Sequence, residues 1–268
     1  MKSEVLKKAL AAIIAFASAV LLALAIIALT VGIVFSKPYF SLLTGKSYDK
    51  KVTAEVLAEL EGYAIPGGLP QDFFNDKLDR GQLSRDIDAT VNAAFGGESV
   101  NLDSFKEQMK QYVLDYAEEK EIKVEAGEDS TEENIDRLVT HCADEYKRLV
   151  NSAFIKFGGK ISSMLSPAVW IVFSVAALGA AGLLFVTAKV GKEIFFRIAV
   201  SSAGIMLIIF PAYMLIFRNI ASLGITSPSM YALATGIIYS LLVTMVVLAV
   251  ILLVFANIPY KKRKKAEE

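Results

Sequence analysis

Four long apolar runs constrain this chain more than any other feature of its sequence. They cover Ala9–Phe35, Pro167–Ala188, Ile194–Phe217 and Met230–Ile258. No Asp, Glu, Lys or His lies within them, and their one arginine, Arg197, lies near the start of the third. An apolar run of about 18 residues or more fits a lipid bilayer better than a soluble core. The runs therefore predict four transmembrane helices.

The charged residues are distributed unevenly around these runs. Between Lys37 and Leu165 the sequence has 24 acidic and 16 basic residues, whereas the rest has 4 acidic and 12 basic residues. Eleven of those 12 bases lie in the segments 1–8, 188–197 and 260–268. Basic residues close to the ends of a span remain in the cytoplasm. We therefore expect both termini in the cytoplasm and the acidic block outside.

The spans and charges together divide the chain into four parts. Residues 1–36 are the cytoplasmic N-terminus with the first span, and residues 37–165 are an extracytoplasmic domain. Residues 166–259 hold the other three spans, and residues 260–268 form a basic cytoplasmic tail. The first run is longer than the roughly 7–15 apolar residues of a signal peptide, so it is expected to remain as an anchor.

The single cysteine, Cys142, excludes a disulfide within the outer domain. The domain must therefore fold by hydrophobic packing alone. An unpaired cysteine outside the cytoplasm fits a bacterial cytoplasmic membrane that faces a periplasm or a cell wall. The sequence thus indicates a multi-pass protein of that membrane.

The block between the first two spans is helical in pattern, which makes the predicted fold all-α. Apolar residues recur at helical spacing over 50–63, 84–95, 103–121 and 130–157, with a short helical turn over 71–78. Four amphipathic helices of this length indicate a small antiparallel bundle. We expect its first and last helices to continue as stalks into the first and second spans.

Local signals suggest where these helices begin and end. Ser104 with Glu107, and Ser130 with Glu133, have the spacing of a capping box at a helix start. The adjacent glycines 158 and 159 are expected to stop or kink the last helix.

Small residues at four-residue spacing allow membrane helices to approach closely. The first span carries such a row, and so does the fourth: Ala11, Ala15, Ala19 and Ala23, and Ala232, Gly236, Ser240 and Thr244. We expect these rows to pack the four helices of one protomer. The alternative is that one row contacts a second copy of the chain, in a homo-oligomer, or another membrane protein.

The turn Pro-Gly-Gly-Leu-Pro at 66–70 is the most distinctive segment of the outer domain. The apolar side chains Ile65, Leu69, Phe73 and Phe74 accompany it. Apolar residues on a stiffened loop often contact a partner, so these four are the candidate partner contact. The alternative is that they fold under the bundle and seal its core.

No set of residues indicates catalysis, a metal site or a cofactor site. His141 and Cys142 are neighbours on one helix and point about 100° apart, which does not suit a metal site. The carboxylates near 118–133 lack the ligand order of a calcium loop. The sequence also lacks a nucleophile–base set and a phosphate-binding glycine loop, and nothing in it supports nucleic-acid binding. We predict a protein that is not an enzyme.

These observations favour an integral membrane protein whose helical outer domain interacts or assembles with a membrane or envelope protein. Two alternatives remain, an oligomeric channel and a mechanically coupled subunit of an ABC-type complex. The order of one span, an outer domain and three spans resembles the permease family of the MacB exporter and the FtsX division protein. The resemblance is one of layout and covers no motif, so it implies no residue roles.

Overall fold

The computed structural model describes residues 2–97, 100–127, 130–190, 193–217, 220 and 223–257. These residues fold into α-helices joined by short loops, and no strand occurs among them. The helices are α1 (Lys2–Val34), α2 (Lys37–Leu43), α3 (Asp49–Ala64), α4 (Phe73–Lys77), α5 (Arg80–Gly96), α6 (Asp103–Glu119), α7 (Thr131–Val150), α8 (Ala153–Val190), α9 (Glu193–Ile216) and α10 (Pro228–Asn257). A π-helical turn, Thr44–Tyr48, joins α2 to α3. The all-α prediction is confirmed.

The chain forms two compact units. One, here called the apolar unit, comprises Met1–Phe35, Ser163–Gly224 and Thr235–Glu268. The other, the helical unit, comprises Ser36–Ser162 together with Ile225–Ala234. The second segment of the helical unit was not anticipated, because the sequence places residues 225–234 among the transmembrane spans.

Four segments are long and apolar enough to cross a membrane. They are Val5–Val34, Ile194–Ile216, Pro228–Asn257 and a segment, Thr131–Thr187, that includes most of α8. Their number and order agree with the sequence prediction. The basic tail 260–268 lies outside the described residues.

Within the apolar unit, α1 packs along α9. Ala23 and Ile26 of α1 meet Leu207 of α9 and Ala249 of α10 in a common core. The predicted small-residue row of α1, Ala11 to Ala23, is buried along its whole length. Small side chains on one helix therefore let a neighbouring helix approach closely, as van der Waals packing in lipid requires.

The packing face of α10 differs from the predicted row. Ala232, Gly236, Ser240 and Thr244 are all only half-buried. The buried positions of α10 in the apolar unit instead lie seven residues apart: Thr235, Leu242, Ala249 and Ala256. The small residue at this contact comes from α9, where a β-carbon on Gly204 would lie 2.8 Å from Leu253 Cγ. This close approach uses a glycine of α9, and the packing role of the α10 row stays a prediction.

The helical unit is an antiparallel arrangement around α3, α5, α6 and α7. Its buried side chains include Val56, Leu60, Leu83, Ile87, Met109, Val113, Val139, Cys142 and Tyr146. Salt bridges Lys110–Asp136 at 2.9 Å and Lys147–Asp103 at 2.6 Å connect α6 to α7 along their length. A helical bundle gains most of its stability from the packing of its apolar helix faces, here formed by the buried side chains named above.

One of the two predicted helix starts has the expected cap. The Ser130 hydroxyl accepts a hydrogen bond from the Glu133 amide, which caps α7. The prediction for Ser104 is wrong, because α6 already begins at Asp103 and its cap position is Leu102. The Asn101 side chain accepts from the Asp103 amide there instead.

The predicted stalks and the predicted break in the last helix are both wrong. The chain leaves helical geometry between α1 and α2, and again at Asn151–Ser152 between α7 and α8. In contrast, α8 continues through Gly158 and Gly159. These two glycines serve close packing, since a β-carbon on Gly159 would lie 2.1 Å from the Ala94 carbonyl oxygen.

Substitution of Gly159 by alanine tests this close approach. The new methyl group would collide with the backbone of α5, so Gly159→Ala is expected to lower the free energy of unfolding by about 2 kcal/mol or more. Gly62 is a matched control, because it lies within α3 with no atom near its β-carbon position. Gly62→Ala should raise stability by about 0.5–1 kcal/mol through helix propensity. Thermal unfolding in detergent, followed by circular dichroism, compares the two; equal midpoints would contradict the packing described.

Candidate functional site at the root of the helical unit

Three segments of the helical unit adjoin the apolar helices along the chain. They are residues 36–55, 152–162 and 225–234, and we call them the root. The first follows α1, the second leads into the apolar part of α8, and the third begins α10. The covalent chain therefore passes from the helical unit to the apolar helices through these segments.

Phe40 of α2 is the central apolar side chain of the root. It is fully buried, and its ring lies 5.0 Å from the ring of Phe95 at the end of α5. A β-carbon on Gly158 would lie 2.6 Å from the Phe40 ring, so only glycine fits at that position of α8. The aromatic ring therefore connects α2, α5 and α8 in one packed layer.

A carboxylate of α3 caps the start of α10. Glu55 Oε1 accepts hydrogen bonds from the Ser229 amide at 2.9 Å and the Ser227 hydroxyl at 3.0 Å. The Ser229 hydroxyl donates to Oε2. Ser227 also accepts from the Met230 amide, which makes it the side-chain cap of α10, and Pro228 follows at the first helical position. Glu55 thus completes a cap from 172 residues away.

The position of Glu55 is favourable for electrostatic reasons as well. The first turn of a helix presents unpaired amide groups and a partial positive charge, which stabilise an anion. Hydrogen bonds to a charged group contribute about 1.5–3 kcal/mol each, more than bonds between neutral groups. Glu55 is half-buried and receives its hydrogen bonds from two serines and a backbone amide. The carboxylate therefore fixes residues 227–230 to α3.

Tyr48 is a buried side chain of the root whose hydroxyl group lacks a hydrogen bond to any described residue. The side chain is 1% exposed, and its oxygen has no hydrogen-bond partner among the described residues. The Ser152 side chain lies beside it but outside hydrogen-bonding geometry, while Ser152 itself accepts from the Phe154 amide. Burial raises the pKa of Tyr48 to about 12. Desolvation outweighs the opposing effect of the neighbouring Ser152 side chain, and the Glu55 carboxylate adds to it, so this hydroxyl stays neutral.

A second buried tyrosine of the helical unit has the opposite environment. The Tyr146 hydroxyl donates a 2.6 Å hydrogen bond to Asp86, and its ring stacks on Phe105 at 3.8 Å. Burial and the neighbouring Asp86 carboxylate raise the pKa of Tyr146 above its usual range. This pair joins α5 to α7 through a satisfied polar contact.

The predicted partner-contact residues separate into two groups. Leu69, Phe73 and Phe74 are buried, and the Phe73 ring contacts the Tyr116 ring at 5.6 Å. These three seal the core, as the alternative interpretation of the turn expected. Ile65 differs, since 66% of its surface is exposed.

The turn that carries Ile65 is held firmly by its backbone. Gly68 has a left-handed φ of 74°, the Leu69 amide donates to the Ala64 carbonyl, and the Gly68 amide donates to the Ile65 carbonyl. These are the two hydrogen bonds of a Schellman ending, which requires a residue such as glycine at the left-handed position. Gly67 packs against Leu138 of α7. Ile65 is therefore presented from a fixed backbone.

His141 and Cys142 have structural surroundings. The His141 ring is exposed and stacks parallel to the Tyr63 ring at 6.2 Å. Cys142 is fully buried, and this burial raises the pKa of its thiol to about 12. Among the described residues, no three His, Cys, Asp or Glu side chains come together as metal ligands would.

Sequence reasoning missed the central contact of the root. Ser227 followed by Pro228 is a recognisable helix start, and this local signal was available. Glu55 carried no signal, because its partners lie 172 and 174 residues away. Nothing in the spacing of α3 distinguishes Glu55 from its other carboxylates.

Removal of the Glu55 carboxylate is expected to loosen the start of α10. Glu55→Ala should lower the free energy of unfolding by about 2 kcal/mol and speed hydrogen exchange of the Ser229 amide, which would lose its acceptor. Glu107→Gln, at an exposed position of α6, is the control. Hydrogen-exchange mass spectrometry of the full chain measures both variants. Unchanged exchange at 227–232 in Glu55→Ala would refute the capping role.

The two buried tyrosines should respond oppositely to loss of their hydroxyl groups. Tyr48→Phe removes an unsatisfied group and is expected to raise the free energy of unfolding by about 1 kcal/mol. Tyr146→Phe leaves Asp86 without its donor and should lower it by about 1–3 kcal/mol. Denaturant unfolding in detergent at neutral pH measures both changes.

The raised pKa of Tyr48 predicts how the stability of the chain depends on pH in the alkaline range. The pKa of Tyr48 in the folded chain lies above the ordinary value of 10.0. The part of the free energy of unfolding that depends on a neutral Tyr48 is therefore fully present below about pH 10 and is lost as the pH rises through about 12. Tyr48→Phe should therefore lose less stability than the unchanged chain over that range. Parallel alkaline curves for the two proteins would contradict the assignment.

Comparison of this chain with protein-family models, curated proteins and solved structures finds no match.

Proposed function

We propose that this chain is a non-enzymatic integral membrane protein whose helical unit interacts or assembles with a membrane or envelope protein. Its four long apolar helices suit a bilayer. The basic residues beside the predicted spans favour cytoplasmic termini and a helical unit outside a bacterial cytoplasmic membrane. The exposed Ile65 on a fixed turn is the observation that carries the proposal.

Ile65 has the properties of a recognition residue. It is exposed, its backbone is fixed by two hydrogen bonds, and its neighbours Leu69 and Phe73 are anchored in the core. A rigid loop loses little entropy on binding, so burial of such a side chain is retained as affinity. Outside the root, the helical unit carries 22 acidic and 10 basic residues, which favours a basic partner surface.

Two further observations support an interaction role over chemistry. The thiol of Cys142 is buried and protonated, and the only histidine is stacked on Tyr63. Apart from Arg197 near one end, the four apolar runs contain no ionisable side chain of the kind that ion-coupled transporters place in their spans.

A second candidate function is a mechanically coupled subunit of an ABC-type complex. The specific observation that favours it is the capping of α10 by Glu55. Because residues 225–234 belong to the helical unit and α10 continues to Asn257, a displacement of α3 would move the start of an apolar helix. Glu55 is then the residue that transmits the movement.

A photocrosslinking amino acid at position 65 tests the main proposal in native membranes. We expect a crosslink to one defined protein at position 65 and none at position 111, an exposed position on α6. Ile65→Ser should reduce co-purification of that protein by about ten-fold, as loss of one buried apolar side chain implies. Equal crosslinking at both positions, or an unaffected Ile65→Ser variant, would reject the proposed contact.

The same experiment separates the two candidates. In a mechanically coupled complex, ATP should change the crosslinking yield at position 65, and Glu55→Ala should abolish that change. A yield that is independent of ATP favours the assembly role.

A further inference from the structure

The root differs sharply in charge from the rest of the helical unit. Its three segments contain six lysines and only two carboxylates, Asp49 and Glu55. The remainder of the unit has 22 acidic and 10 basic residues. The root is thus the one positively charged part of an otherwise acidic unit.

Both carboxylates of the root are occupied within the protein. Glu55 accepts from Ser227 and Ser229, and Asp49 Oδ2 accepts from the Ser84 hydroxyl at 3.2 Å. The other oxygen of Asp49 is buried. Neither carboxylate forms an ion pair with Lys37, Lys50, Lys51 or Lys156 in the part of the chain that the structure describes.

Four exposed lysines of the root form no ion pair with any residue that the structure describes. They are Lys37, Lys50, Lys51 and Lys156. In contrast, six of the ten bases elsewhere in the unit are paired with carboxylates: Arg85, Lys110, Lys120, Arg137, Lys147 and Arg148. Among the described residues these four positive charges have no carboxylate partner, so each can bind an anion.

The covalent chain keeps these lysines close to the predicted spans. Lys37 lies two residues after Phe35, where the apolar unit ends, and Lys156 lies seven residues before Ser163 on the same helix. At 1.5 Å per helical residue, that second separation is about 10 Å. Lys50 and Lys51 lie in the first turn of α3, which Glu55 joins to Ser229.

Exposed apolar side chains accompany the lysines. Leu42 of α2 is 51% exposed and Phe157 of α8 is 60% exposed, although both lie beside the buried Phe40–Gly158 contact. Lysines next to exposed apolar residues are typical of surfaces that lie in the headgroup region of a bilayer. A soluble partner would not need the root to lie within a few residues of the spans.

We propose that the root binds the headgroups of anionic lipids, with Lys37, Lys50, Lys51 and Lys156 contacting phosphates and Leu42 and Phe157 entering the interface. The occupant is the lipid leaflet at the ends of the spans to which these segments are covalently joined. The inference requires only that the chain spans a membrane, and it is independent of any protein partner.

Lipid preference of the full chain in vesicles tests this inference. Leu42→Cys is labelled with an environment-sensitive dye, which is selective because Cys142 is buried. Spin-labelled phosphatidylglycerol and spin-labelled phosphatidylcholine then compete to quench the dye. Each lysine near an anionic surface contributes about 1 kcal/mol. Four Lys→Gln substitutions at the root should therefore reduce the preference for phosphatidylglycerol by at least about ten-fold.

The matched control removes the same charge away from the root. Lys77, Lys106, Lys120 and Lys123 are changed to glutamine together, and the preference should stay within about two-fold of the unchanged chain. Four Lys→Arg substitutions at the root should retain it, because the charge is kept. Melting temperatures of all variants are compared in detergent to show that they fold. If a substituted root fails to fold, salt replaces it as the test, because added salt should weaken the preference of the unchanged chain for phosphatidylglycerol.

Two results would overturn the inference. One is an equal loss of preference in the root and control variants, which would show an effect of net charge alone. The other is an unchanged chain that does not prefer phosphatidylglycerol over phosphatidylcholine. Neither result would bear on the contact at Ile65, which is tested by crosslinking to a protein.

Discussion

The hydrogen-bonded carboxylate of Glu55 is the interaction on which the root depends. An acidic side chain in a half-buried position is costly unless donors surround it. The start of α10 supplies those donors, and the helix in turn gains an anion at its positive end. Each group satisfies the other, so residues 225–234 belong to the helical unit although α10 itself continues as an apolar helix.

Close packing and charge have separate roles around this contact. Gly158 leaves room for the Phe40 ring, and Gly159 leaves room for the Ala94 carbonyl group. These two contacts let α2, α5 and α8 pack closely. The lysines lie on the outside of the same segments and take no part in that packing. A rigid interior and a basic exterior are therefore built from residues that alternate along the same short segments, as amphipathic sequences allow.

The sequence predicts most of the helices because their signals are local. The apolar period of α3 and α6, and the cap of α7 by Ser130, require only neighbouring residues. Gly158 and Gly159 misled the prediction, because a glycine pair has the same pattern whether it ends a helix or admits a neighbouring helix. Glu55 was unpredictable for a related reason, since its role depends on a contact between distant parts of the chain.

The long separation between Glu55 and its partners also bears on how the protein is assembled. Ser227 is synthesised 172 residues after the carboxylate that caps it. Contacts of such high sequence separation carry a large loop-closure entropy, which contacts within the intervening chain reduce. The cap of α10 therefore cannot form until residues 227–230 have been synthesised, which is after every residue of the acidic bundle has left the ribosome.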